Sequence, residues 1–270
     1  MLSLMLPVVG TRLMILATGH NDRWADPGQS SPRRRDRLPA MGKMVVIRHT
    51  HESLGRLAER LEHAGMEWEE TFVIDGDPLP PADDVDVLVM TGGRMGAYDT
   101  DEYPYLVEEM RLVRELVDRD VPVLGICLGS QLLAAALGGR AYLADRPEVG
   151  AVPVKLTEAG YRHPVVSNVA GRRVFEMHQD TFDLPPGSVL LARSDRFPQA
   201  FELGSALAIQ FHPEAHNSAA NKWANHGARH MVERAGSNPE EFAAGMEDAR
   251  SELNEGSYQL FDAWIAGLDG

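Results

Sequence analysis

Cysteine is almost missing: the 270 residues hold a single one, Cys127. One thiol excludes a disulfide within the chain and suits a reducing, cytoplasmic setting. Long apolar runs are missing too. None approaches the ~20 residues that span a bilayer, so no membrane partner is expected. Basic residues are few beside acidic ones, 26 against 40, for a net charge of −14. A balance so acidic argues against nucleic acid as a partner, because that affinity rests on neutralising phosphates with Lys and Arg. The chain also lacks the G-x-x-x-x-G-K-[ST] loop that cradles nucleotide phosphates, so no ATP-using step is visible in it. No internal repeat is present.

The first residues stand apart from the rest. Met1–Thr18 is as apolar as a secretory h-region, but no Lys or Arg precedes Arg12 and no A-x-A cleavage site follows. Residues 19–40 are rich in Asp, Arg, Pro, Gly and Ser, a linker composition. Residues 1–40 hold six arginines and three aspartates, which leaves −17 on the remainder. The expectation is that residues 1–43 form a disordered extension or reflect an upstream start, with a signal peptide as the alternative, and that residues 44–270 form the folded domain.

From Met44 onward, strand and helix patterns alternate, the mark of an α/β fold with a mostly parallel sheet flanked by helices. Strands are predicted at Val45–Arg48, Thr71–Ile74, Val85–Met90, Val121–Ile126 and Leu207–Phe211. Helices are predicted over Glu52–Ala64, with Leu54, Leu57, Leu61 and Ala64 on one stripe, and over Tyr105–Asp118. Between Arg140 and Ala192 the pattern changes to shorter strands at Ala151–Leu156, Arg173–Met177 and Val189–Ala192, a partly antiparallel edge. Residues 215–270 read as a helical cap, with helices at Ala219–Ala235, Pro239–Leu253 and Tyr258–Ala266 broken near Gly236 and near Asn254-Glu-Gly256.

Cys127 sits where a cysteine becomes reactive. In Gly125-Ile-Cys-Leu-Gly-Ser-Gln131 it follows an apolar strand pattern and precedes a helical one. A strand turning sharply into a helix at G-x-C-x-G is a nucleophile elbow with sulfur in place of oxygen. Gly125 and Gly129 make room for the turn, and the helix N-terminus favours thiolate over thiol. A base is available at His212-Pro213-Glu214, which closes a strand pattern. Residues i and i+2 of a strand share a side, so His212 and Glu214 stand together, with His212 as base and Glu214 orienting it. Other histidines carry less. His226 and His230 have helical i, i+4 spacing but no third ligand at a known spacing, so no metal is expected. His49 and His51 follow the first strand at the sheet's carboxyl edge, where they would line a pocket mouth or simply occupy a loop.

Gly125-Ile-Cys-Leu-Gly-Ser-Gln131 and Gln210-Phe-His-Pro-Glu214 together resemble the two signatures of the class I (triad) glutamine amidotransferases. The resemblance extends over about residues 44–214 and is closest in kind to stand-alone members and to the amidotransferase domain of GMP synthases. It implies a flavodoxin-like sheet and a Cys127–His212–Glu214 triad. Val87-Leu-Val-Met-Thr-Gly-Gly93 matches the family's glycine turn, which implies an oxyanion hole from the backbone N–H groups of Gly93 and Leu128. Gln131 matches a position that contacts substrate glutamine. Met177-His178-Gln179-Asp180 resembles the family's His-Gly-Asp segment, which implies that His178, Gln179 and Asp180 help hold the amino-acid end of L-glutamine. Two positions depart from the pattern: Arg94 stands where proline is common, and Gln179 where glycine is frequent. Both bear on substrate positioning.

The resemblance implies a glutaminase that releases ammonia from glutamine through a Cys thioester, without a cofactor. It would pass that ammonia to an ATP-dependent synthetase or another ammonia-accepting enzyme on a separate chain. A γ-glutamyl hydrolase acting on larger amides would show the same motifs. A non-catalytic regulatory protein would share the scaffold.

Overall fold

The computed structural model describes residues 42–269. The expected extension, apart from Gly42 and Lys43, lies outside the described residues. Strand β1 (Met44–Arg48) opens the sheet, followed by α1 (Arg56–His63), β2 (Trp68–Phe72), β3 (Val87–Met90), α2 (Tyr105–Asp118), β4 (Val123–Ile126) and α3 (Leu128–Ala136). Next come β5 (Arg140–Pro153), β6 (Lys155–Leu156), α4 (Glu158–Arg162), β7 (Arg173–Asp183), β8 (Val189–Arg193), β9 (Pro198–Leu203) and β10 (Ala206–Ile209). Helices α5 (Asn217–Asn225), α6 (Arg229–Arg234), α7 (Pro239–Asp248) and α8 (Arg250–Ala266) complete the chain.

Eight strands form one sheet in the order β2-β1-β3-β4-β10-β9-β8-β6. The run from β2 to β10 is parallel, and β9, β8 and β6 extend it antiparallel. The fold is therefore the mostly parallel sheet flanked by helices that the alternation predicts. Its central strands are apolar throughout because both faces are covered. Val46, Val89, Ile126 and Ile209 meet Leu57 and Leu61 of α1 and Phe261 and Trp264 of α8 on one face. Ile47, Leu88 and Met90 meet Leu106 and Val113 of α2 and Leu132 and Leu133 of α3 on the other.

Several elements differ from the expected ones. The first helix starts at Arg56 rather than Glu52, because Gly55 adopts φ +50° and breaks the helical path. The edge region holds long strands where short ones are predicted: β5 and β7 form a separate two-stranded antiparallel ribbon of 14 and 11 residues. Strand β9 carries Pro and Glu and shows no clear alternation. The predicted helix over Ala219–Ala235 is two helices parted near Gly227, so His226 and His230 do not share one. The last break falls at Ala249, not at Asn254-Glu-Gly256. Gly256 lies inside α8, where a Cβ would come 3.1 Å from the Arg172 side chain. No described helix is long and apolar enough to cross a membrane.

Candidate active site

The parallel strands end along one edge, and the predicted residues gather there. Strand β4 ends at Ile126, and α3 begins at Leu128, so the whole reversal falls on Cys127. It adopts φ +52°, a conformation that costs an ordinary side chain energy and recurs at functional sites. Its N–H donates to Ile209 O of β10 at 2.9 Å, which ties the turn to the neighbouring strand. The turn tolerates no bulk: a Cβ on Gly125 would lie 2.5 Å from Gly129 O, and one on Gly129 would lie 2.4 Å from Met90 O. Both glycines are there so that α3 can press against β3 and β4.

His212 and Glu214 follow β10, as the strand reading requires. His212 Nδ1 bonds Glu214 Oε1 at 2.7 Å, so Nδ1 carries the proton and Nε2 is left for the sulfur. Phe175 and Trp223 pack against the ring, with centroids at 5.6 and 5.2 Å. Burial opposes a charge on His212, but the Glu214 carboxylate and the Cys127 sulfur outweigh it and raise its pKa well above the ordinary value. Both neighbours therefore favour the imidazolium form of His212. The Glu214 backbone is fixed from outside the motif, since its carbonyl accepts the Arg56 N–H at 2.9 Å.

The glycine pair closes over this group. A Cβ on Gly92 would lie 3.0 Å from His212 Cε1 and 3.4 Å from Cys127 Cβ, and one on Gly93 would lie 2.5 Å from Leu128 Cδ2. Gly93 and Leu128 are therefore neighbours. The Gly93 N–H has no acceptor among the described residues. Leu128 is the first residue of α3, and its N–H is one of the donors a helix leaves open.

A cavity of about 230 Å³ joins these residues to Gln131, His178, Gln179 and Asp180. That is small beside the ~300–1,000 Å³ of drug-sized sites and suits an amino-acid-sized molecule. Within it the four play unequal parts. Gln131 Nε2 donates to Asp180 O at 3.1 Å and to Gln210 Oε1 at 3.3 Å, so its amide nitrogen is spent inside the protein. His178 turns its ring into the interior and bonds Asp180 O through Nδ1 at 2.8 Å. Asp180 accepts from the Tyr98 hydroxyl at 3.0 Å. Burial raises the Asp180 pKa, partly offset by that hydroxyl. Gln179 accepts from Arg234 at 3.3 Å.

The cavity also contains residues the motifs did not single out, among them Arg48, Trp223, His230 and Met231. Trp223, His230 and Met231 lie beyond the motif-bearing span, on helices whose docking no local pattern reveals. Arg94, one of the two departures from the family pattern, lines the cavity and abuts Gly227. The histidines after β1 are not in it. His49 is buried against Glu109 at 2.9 Å, and the exposed His51 stacks on Phe72. Among the described residues, one group brings its donor atoms within metal-bridging range, Glu148, Glu176 and His178, all within 4.8 Å of one another.

Comparison with known proteins shows the family and the fold. Residues 45–228 match the model of the class-I glutamine amidotransferase family. The glutamine amidotransferase-like protein YfeJ of Salmonella typhimurium is 32% identical over 71% of this chain and 83% of its own. One subunit of the glutamine-hydrolyzing GMP synthase of Halobacterium salinarum is 34% identical over 57% of this chain and 81% of its own. A gamma-glutamyl-L-1-hydroxyisopropylamide hydrolase from a Pseudomonas species is 29% identical over 61% and 60%. The crystal structure of a glutamine amidotransferase from Thermotoga maritima superimposes with a TM-score of 0.73 at 28% identity, covering 86% of this chain and all of that one. The chain belongs to the class I glutamine amidotransferases.

Proposed function

We propose that this chain hydrolyses the side-chain amide of L-glutamine and hands the ammonia to an acceptor enzyme. The observation that carries the reading is the convergence of Cys127, His212 and the Gly92–Gly93 turn in one small cavity. In this reading the Cys127 thiolate attacks the amide carbon and forms a C–S bond. The carbonyl electrons move to oxygen, which the N–H groups of Gly93 and Leu128 meet, each donor worth about 3–4 kcal/mol. The intermediate collapses, the C–N bond breaks, and His212 supplies the proton with which ammonia leaves. A water then gives a proton to His212 and attacks the γ-glutamyl thioester. Glutamate departs and the thiolate returns. Glu214 holds the imidazole in the required tautomer throughout. In this reading Gln179 and Asp180, which line the cavity, help hold the amino-acid end of glutamine, and Gln131 contacts the substrate. The Halobacterium relative, named as one subunit of a GMP synthase, supports a synthetase on a separate chain as the acceptor.

A second reading, a γ-glutamyl hydrolase acting on amides larger than glutamine, has its own support. Arg94 and Gln179 line the cavity where the family pattern has proline and glycine, and one relative is named for hydrolysis of a γ-glutamyl amide. Ammonia release from glutamine, compared with cleavage of γ-glutamyl-p-nitroanilide, separates the two. The expected result is glutamine turnover that Cys127→Ala lowers by a factor on the order of a thousand or more. Retained turnover in that variant overturns the mechanism. A large preference for the anilide moves the assignment to the hydrolase.

A further inference from the structure

Strand β7 turns a row of polar side chains inward. Glu176, His178 and Asp180 alternate along it on one side, with relative exposures of 0, 3 and 8%. Glu148 of β5 is paired directly opposite His178. The resemblance to the family sets His178 among the substrate-holding residues, yet its side chain is only 1% exposed, and its ring packs edge-on against Phe197. Its protonation can be read from its neighbours. The Asp180 carbonyl only accepts, so Nδ1 carries a hydrogen. Nε2 lies 3.4 Å from Glu148 Oε2 and 3.3 Å from Glu176 Oε2, ion-pair distances to two carboxylates at once.

No other described cation lies within ion-pair distance of these carboxylates, although His212 also acts on Glu176. Gln199 donates a neutral hydrogen bond to Glu148 at 2.7 Å, and neither oxygen of Glu176 has a hydrogen-bond partner. Uncompensated carboxylates in the interior cost several kcal/mol each. Burial opposes the charge on His178, but Glu148 and Glu176 outweigh it and raise its pKa to about 10. Burial pushes the Glu176 carboxyl up to about 7, so this group titrates at neutrality.

We propose that His178 is a permanent imidazolium, pinned by the Asp180 carbonyl, Glu148 and Glu176, and that this positioning residue adds its charge to that of His212 to hold Cys127 as thiolate. Both His178 and Cys127 line the cavity, and the Cys127 sulfur is among the groups that favour the charged form of His178. The ionisable groups facing His178 are Glu176 and Asp180 on its own strand, Glu148 on β5 and Cys127 at the elbow; His212 acts on Glu176. When Glu176 ionises, negative charge enters the cluster and weakens this support.

The inference rests on Cys127 being the reactive thiol, not on glutamine being the substrate. Its test is therefore alkylation of Cys127 by iodoacetamide in the full chain, followed from pH 4.5 to 8.5. The chain has one cysteine, so the signal belongs to that residue. In His178→Gln the pH of half-maximal rate moves up by about one unit. In Glu176→Gln, which removes the opposing charge, it moves down by about half a unit. Opposite shifts at neighbouring positions are not what lost packing produces. If both variants shift the same way, or neither shifts, the proposal fails. If His178→Gln does not fold, Glu176→Gln alone decides by the sign of its shift. A stoichiometric divalent metal in the purified protein, lost in Glu176→Gln, also overturns it, since a ligating Nε2 carries no proton. Opposite shifts in a protein inert toward glutamine would uphold the inference while sinking the substrate assignment.

Discussion

At the scale of single residues, the proposed chemistry divides unevenly between two side chains only two positions apart. His212 would move protons in both half-reactions, whereas Glu214 would only orient it through the 2.7 Å bond to Nδ1. His212→Asn is therefore expected to lower kcat for glutamine by a factor on the order of a thousand, and Glu214→Gln by about ten to a hundred. Steady-state ammonia release checks both, and a larger loss at Glu214 would reverse the assignment. These residues were legible in the sequence because local motifs carry them: a glycine-flanked cysteine between a strand and a helix, and a histidine and glutamate in i, i+2 register. The direction of His178 was not legible. A residue within a strand pattern does not announce which face it uses until the partner strand supplies Glu148 opposite it.

At the scale of elements, the start of α1 does more than cover the sheet. Gly55, at φ +50°, brings the chain so close to the loop after β10 that a Cβ there would lie 2.1 Å from Glu214 O. Arg56, 2% exposed, then bonds the carbonyl oxygens of Pro213 and Ala215 and the side chain of Asn254 on α8. One side chain thus fixes both ends of the loop segment that carries Glu214. Arg56→Met keeps much of the volume but strands these acceptors. The expected cost is about 2–3 kcal/mol of stability, together with a fall in kcat from a displaced Glu214. Urea unfolding and turnover measure the two effects. Unchanged turnover in a destabilised variant would confine Arg56 to a structural role. The sequence pattern hid this role, since Leu54, Leu57 and Leu61 alone read as a helix running through Gly55. The ribbon of β5 and β7 was hidden for another reason. Strand β5 is only partly buried, and β7 buries polar residues such as Glu176, His178 and Thr181, so neither shows the apolar alternation on which strand recognition depends.

At the scale of the whole molecule, the alternation of elements made the sheet and its two helical layers readable. Central parallel strands are apolar on both faces, and the crossover helices carry single stripes. The packing of α5 to α8 was not readable, because it depends on contacts with β5 and β7 far away in sequence. The buried cluster beneath the cavity should register in global stability. The pKa of His178 is raised from its ordinary value near 6.5 to about 10, so its contribution is complete below 6.5 and is lost as pH climbs through 10. Glu176, raised from its ordinary value of 4.5 to about 7, loses its contribution over that lower interval and adds little to the change above pH 7. Unfolding free energy is thus expected to decline between pH 7 and 10, and less steeply in His178→Gln. Denaturant titrations at pH 7, 8.5 and 10 test this, and parallel declines in both proteins would contradict it. The solitary sulfur sets a different vulnerability. If Cys127 is oxidised to a sulfenic acid, no second thiol in the chain can condense with it, so rescue must come from a small-molecule thiol entering the cavity. Peroxide would then silence molecules one at a time, reversibly while an outside reductant keeps pace and permanently once the sulfur advances to sulfinic acid.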